Sequence, residues 1–197
     1  LDERVADLDA WDCDEEAEEA FERIRALWEQ EGSLLPSYKE DELIDTWIAE
    51  VIDILGFGSS SEVTLLDGGG YVDRLLFESE DARRESARQA LDSGTERHFS
   101  RALALLEAKQ WDANFEQFFS EQRSYRDASH QVKFYLERTP GDLNWGILTD
   151  GKKWRLYGTK DYETQTYYEV DLLEVLESGD LEAFKYFYVF FRPEAFV

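Results

Sequence analysis

Asp73, Glu107 and Lys109 are the residues whose types and spacing suit a hydrolytic centre. Asp73 lies inside the stretch Tyr71–Phe77, and Glu107-Ala108-Lys109 ends the next apolar run. Residues i and i+2 of a strand face the same side, so Glu107 and Lys109 project together while Ala108 faces away. If the two stretches pair as neighbouring strands, Asp73 comes beside Glu107. Two adjacent carboxylates repel one another unless a cation lies between them. Mg²⁺ (or Mn²⁺ as its substitute) answers that need, because hard oxygen ligands suit it and it keeps waters in its remaining positions. An ion so held polarises a phosphodiester and lowers the pKa of a bound water. Lys109 would orient or deprotonate that water, or offset charge in the transition state. Gln131-Val132-Lys133-Phe134-Tyr135 lies on the segment that follows.

The elements that must position these residues follow from periodicity and punctuation. Residues 14–30 alternate acids with Phe21, Ile24, Leu27 and Trp28, an amphipathic helix that Leu34-Leu35-Pro36-Ser37 breaks. A second helix, about 40–54, carries Leu43, Ile44, Trp47, Ile48, Val51 and Ile52 and ends at Gly56. Glu62–Asp67 and Tyr71–Phe77 form two strands joined by Gly68-Gly69-Gly70, a plain turn that lacks the helix and lysine of a phosphate loop. Residues 79–99 are polar with helical propensity, an excursion between strands. Arg101–Ala108 fits a buried strand, with a short helix as the pattern's alternative. A helix follows at about 124–138. Trp145–Thr149 and Trp154–Tyr157 flank Asp150-Gly151, a strong hairpin signal. Thr166–Val170 adds a last strand, and helices close the chain near 171–177 and 180–191, where Tyr186–Phe191 suits a buried helix face. This order predicts an α/β fold, a mixed sheet flanked by helices. The 197 residues suffice for one core, organised as an acidic helical extension over 1–37 and a main domain over 38–197.

On Asp73, Glu107-Ala108-Lys109 and Gln131-x-x-x-Tyr135, the chain resembles the PD-(D/E)xK nucleases. More closely, it looks like the N-terminal nuclease domains of type IIG and type I restriction enzymes. The hairpin Trp145–Tyr157 and the helix ending in Leu55-Gly56-Phe57 resemble the corresponding parts of those enzymes, and the resemblance covers roughly residues 38–197. It implies a restriction-endonuclease-like sheet and Mg²⁺-dependent hydrolysis of double-stranded DNA. Asp73 and Glu107 would be metal ligands, Lys109 would serve the water, and Gln131 would support the site. The family's first helix carries a supporting Glu, for which Glu42 is the candidate, with Glu40 and Glu50 as alternatives. A methyltransferase and target-recognition region is expected after Val197, and pairing of two chains is one route to cutting both strands. The sequence departs from the family in two places. Val72 stands where a Pro precedes the Asp, and the separation of Asp73 from Glu107 is long, so that residues 79–99 must loop out.

Charge sets the expected environment. Forty-five Asp plus Glu against 21 Lys plus Arg leave a net charge of -24, which destabilises a compact chain at low salt. In molar salt the Debye length falls to about 3 Å and the repulsion largely vanishes. Aromatic residues run along the whole chain, unlike a disordered acidic tail. The composition therefore suggests an extreme halophile. Within this acidic chain, residues 123–160 hold eight basic residues and four acids, a net +4 island. Phosphate binding needs local cations, so Lys133, Tyr135, Lys152, Lys153 and Arg155 are the expected DNA contacts. Arg123, Arg126, Arg138 and Lys160 complete the basic set.

Cys13 is the single cysteine, so an internal disulfide and a thiolate metal cage are excluded. His98 and His130 lack ligand spacing. No apolar run has membrane-spanning length and no signal peptide is present, so the cytoplasm is the expected compartment. The chain begins at Leu1 and has no Met, which suggests a piece of a longer protein. Two competing readings remain. Asp73 with Lys109 would form a plain salt bridge in a DNA-binding module that kept the fold without catalysis. An apolar C-terminal helix would equally serve a protein-interaction domain.

Overall fold

The computed structural model describes residues 2–158 and 166–197. Its centre is a six-stranded sheet in the order β1 (Gly58–Thr64), β2 (Tyr71–Phe77), β3 (Ala104–Ala108), β4 (Trp145–Thr149), β5 (Lys153–Gly158) and β6 (Tyr168–Asp171). β3 and β4 run parallel, and the other neighbours are antiparallel. The flanking helices are α1 (Asp14–Glu31), α2 (Glu40–Leu43, continued through Ile44–Ile48 and Ala49–Leu55), α3 (Glu80–Ser93), α4 (Thr95–Arg101), α5 (Ala128–Leu136), α6 (Leu172–Ser178) and α7 (Leu181–Phe191). The mixed α/β sheet flanked by helices is therefore the observed fold class.

Period-two alternation sorts the strand residues between two apolar clusters. Leu76, Leu106, Ile147 and Trp154 join the cluster that holds α1, α2 and α7, with Phe21, Trp47, Val51, Phe184 and Phe187 in it. Leu75, Leu105, Leu148 and Tyr157 join the other, with Phe99 of α4 and Val132, Tyr135 and Leu136 of α5. Adjacent residues thus feed opposite sides of one sheet. The helix near the N-terminus is part of the first core, since Phe21 stacks on Phe184 at 4.6 Å and Ala17, Ala20 and Ile24 are buried beside it. Residues 14–31 therefore share the first apolar cluster with α2, α7 and one face of the sheet.

Local signals explain most boundaries. Gly56 closes α2 in the left-handed region at φ 105°, a conformation that glycine adopts without a Cβ penalty. Ser79, Asp127 and Asp171 cap α3, α5 and α6 through their side-chain oxygens. Within α2, residues Ile44–Ile48 form a π-helical turn, a rare local widening often found near functional sites. The polar excursion after β2 folds as α3 and α4. Its His98 is buried, with Nδ1 2.8 Å from the Ser86 hydroxyl and Nε2 3.1 Å from that of Ser60. Burial holds the imidazole below its ordinary pKa, assisted by the charge of Arg83.

The expected last strand begins later than its apolar pattern, at Tyr168. Lys160 of the basic island lies outside the described residues. Among the described residues, no helix is long and apolar enough to cross a membrane.

Candidate active site

The β2–β3 ladder pairs Leu76 with Ala104, Leu75 with Leu105 and Arg74 with Leu106. The next residues in that register are Asp73 and Glu107, and there side chains take over from the ladder. The Asp73 amide donates to Glu107 Oε1 at 3.1 Å, while the Ala108 amide donates to Asp73 Oδ2 at 2.8 Å. Glu107 is 2 % exposed and Asp73 is half-buried. Burial pushes the Glu107 carboxyl well above the ordinary carboxylate range, the charge of Asp73 adds to that shift, and Lys109 opposes it. A buried carboxyl beside a half-buried carboxylate, with so little compensation, is stabilised by an added cation.

Lys109 follows β3 directly. Its amide donates to the Thr149 carbonyl at 2.9 Å, which ties it to the end of β4. Its Nζ lies 5.7 Å from the centroid of Phe119, and the Arg123 guanidinium lies 4.5 Å from the same ring.

The acid that α2 brings to this group is Glu40. Burial raises its carboxyl first; Lys109 and Arg123 lower it, and Asp73 raises it. Glu42, the favoured candidate from sequence, is exposed, as is Glu50. At 3.6 residues per turn, Glu42 sits roughly 200° around the helix from Glu40, so one helix face cannot present both to the pair.

The face of β3 that carries Leu105 and Glu107 is covered by α5. Asp127 starts this helix by accepting from the His130 amide at 3.0 Å and the Ser129 hydroxyl at 2.6 Å. Gly146 of β4 lets it approach, because a Cβ there would lie 2.5 Å from Cγ1 of Val132. One turn apart on α5, Gln131 Nε2 donates to the Tyr135 hydroxyl at 3.1 Å, and a second contact to the Tyr125 hydroxyl is 3.4 Å. Gln131 Oε1 is buried without a partner. Burial and the Tyr125 hydroxyl raise the Tyr135 phenol, and the charge of Glu107 adds to the shift.

Among the described residues, no group of three or more His, Cys, Asp or Glu side chains is gathered into a cage for a metal. The donors on hand are the Asp73 and Glu107 carboxylates, with Glu40 near enough for the charge of Asp73 to act on it. This set does not fit tetrahedral zinc, which takes three or four N, S or O ligands. It fits Mg²⁺, which is commonly held by one or two carboxylates and completed by water and phosphate oxygens.

The cations expected to meet DNA are occupied within the chain. Arg155 is 5 % exposed. It donates to Glu169 at 2.7 Å, to Glu116 at 2.6 Å and to the Tyr157 hydroxyl at 3.1 Å. Lys153 pairs with the buried Asp150 at 3.2 Å and donates to the Ala113 carbonyl at 2.6 Å. Lys152 pairs with Asp112 at 3.4 Å. Lys133 donates to the Gly158 carbonyl at 2.7 Å, and Tyr135 is 4 % exposed. The charge count over 123–160 includes Asp150 but not Asp112, Glu116 and Glu169, which come from the connection after β3 and from β6. Lys109 is the cation whose charge acts on Glu107, and Arg123 joins it in acting on Glu40. The signal available for Arg123 was its place in the basic island, beside Phe118, Phe119 and Tyr125.

The class that fold and site define is a mixed α/β domain with an Asp–Glu pair across adjacent strands and a lysine two residues beyond the Glu. No family model and no curated protein matches the chain. Among solved structures, it is similar to the one titled "cryoEM structure DrdV-DNA complex", with a TM-score of 0.47 and 13% identity. That match covers 87% of this chain and 13% of the other, so the chain spans only a small part of that protein's length.

Proposed function

We propose that this domain hydrolyses DNA phosphodiester bonds with Mg²⁺. The observation that carries the reading is the Asp73–Glu107 pair, with Glu107 buried, where the β2–β3 ladder gives way to side-chain contacts. Asp73 and Glu107 would hold the ion, with Glu40 supporting them in place of Glu42. Bound there, Mg²⁺ supplies a Lewis acid at a phosphoryl oxygen and a water of lowered pKa. Lys109 would orient that water or neutralise charge as the phosphorane forms. Gln131 and the Tyr135 hydroxyl keep the floor of the site in one arrangement. The resemblance to type IIG and type I restriction enzymes adds double-stranded DNA as substrate, and a recognition and methyltransferase region elsewhere in a longer cytoplasmic protein. The acidic surface adds a high-salt working environment.

The deciding experiment is calorimetric titration of Mn²⁺ into the chain in molar KCl, beside Asp73→Ala. Saturable binding at low stoichiometry that the substitution abolishes is the expected result, followed by metal-dependent nicking of plasmid by the longer protein. Weak binding that is equal in both chains would overturn it and leave a DNA-binding module without catalysis.

A further inference from the structure

The connection between β3 and α5 has an arrangement that cleavage chemistry alone does not require. Phe115 is 1 % exposed and anchors its first half, with the Ser129 amide donating to its carbonyl at 3.3 Å. The Phe119 amide donates to the Arg126 carbonyl at 2.7 Å, which pins the two ends of the segment 119–126 together. Between these anchors Phe118 is left 67 % exposed, so its ring forgoes the stabilisation of burial. The Arg126 guanidinium lies 5.3 Å from the Phe118 centroid, and its side chain is 58 % exposed. Arg126 also contacts the Asp127 carboxylate at 3.2 Å, as Arg123 contacts Glu121 at 3.5 Å. Together with Lys109 and Arg123 on Phe119, three cations border two consecutive rings, and the series starts at the lysine of the acid pair.

The charge of the whole chain narrows what this feature can bind. A net charge of -24 sets up a long-range field that repels a polyanion. A nucleic acid is therefore held by short-range contacts, through local cations and through stacking, which carries no charge. One guanidinium borders the Phe118 ring, and the exposure of that ring leaves room for a planar partner.

We infer that this loop takes an unstacked base of single-stranded DNA on Phe118, with Arg126 and Arg123 on the flanking phosphates. The inference rests on the nuclease reading for its placement, since it sets an opened base beside the centre proposed to cut. Stacking loses little as ionic strength rises, whereas phosphate contacts weaken steeply, so Phe118 is the contact that persists in concentrated salt.

The test is fluorescence anisotropy of a dye-labelled oligothymidine titrated with the chain in EDTA at low and high KCl. Phe118→Ala is expected to weaken binding by about 5- to 100-fold, the range found when a stacked base loses its aromatic partner. Phe118→Trp retains the affinity and Phe118→Leu does not, which separates stacking from mere apolar contact. Arg126→Ala weakens binding at low KCl and makes the salt dependence shallower by about one ion. Because Phe118 is exposed, equal thermal melting of the variants checks that the fold is intact. Oligothymidine binding that is absent in the wild-type chain, or unchanged in both Phe118→Ala and Phe118→Leu, overturns the inference. The Mn²⁺ titration with Asp73→Ala is independent of this readout. A Phe118 effect without metal binding removes the cleavage reading alone, and metal binding without a Phe118 effect removes the stacking assignment alone.

Discussion

Asp73 and Glu107 hold each other's strands through carboxylates: the Asp73 amide donates to Glu107 Oε1, and the Ala108 amide donates to Asp73 Oδ2. The pair thus serves the sheet as well as the proposed chemistry. Two acids are fixed side by side at the position where regular pairing stops, and one of them is fully buried. This arrangement trades stability for a place where a cation is welcome, as functional sites often do.

Glu107→Gln should stabilise the metal-free chain while abolishing Mn²⁺ binding. The folded-state pKa of Glu107 is raised, chiefly by burial, so the folded chain holds this proton more tightly than the unfolded one. The sign follows: stability from this group is greatest at low pH and declines as pH climbs above the ordinary Glu range. Urea denaturation in EDTA at pH 5 and pH 8 should show a larger decline for the wild type than for Glu107→Gln. Equal declines would refute the assignment of strain to this carboxyl.

Glu40→Gln is expected to weaken Mn²⁺ affinity by about 10- to 100-fold, the usual cost of removing a supporting group at a metal site. Glu42→Gln should leave it within error of the wild type. The same calorimetric titration reads both, and the reverse ranking would restore Glu42.

Arg155→Met tests whether the hairpin cation is structural. Removing it strands Glu116 and Glu169 and opens the aromatic contact with Tyr167 at 3.8 Å. Its acids are partly exposed, which moderates the loss to about 1–3 kcal/mol in urea denaturation. Oligothymidine affinity should not change, because the guanidinium does not reach the surface.

At Gly146 an added methyl meets Val132 Cγ1. Gly146→Ala should therefore cost about 1–3 kcal/mol through overpacking and push α5 away from the sheet. Plasmid nicking should fall as Gln131 and Tyr135 move, while Mn²⁺ affinity should be retained. An unchanged nicking rate would show that α5 has no part in the chemistry.

His98 gives a second pH signature of opposite sign. Its folded pKa is lowered by burial, so its contribution is fully present above about pH 6.5 and is lost as pH falls below that value. His98→Gln should remove this part of the acid sensitivity, measured as the shift in urea midpoint between pH 7.5 and pH 5.5.

Much of this molecule was decided locally and could be read along the chain. Period-two alternation placed Leu75 and Leu76 on opposite sides of one sheet. Gly56 and the Asp150-Gly151 turn marked where elements end, because few other residues tolerate those backbone angles. What sequence did not settle depends on partners far apart in the chain. Glu40 and Glu42 are equally acidic in sequence, and only the phase of α2 against the sheet distinguishes them. Arg155 looked available until Glu116, 39 residues away, and Glu169 closed around it. The connection after β3 carries no periodic signal. Its two phenylalanines therefore acquired opposite environments, Phe119 half-buried and Phe118 exposed, only when tertiary packing fixed the backbone between them.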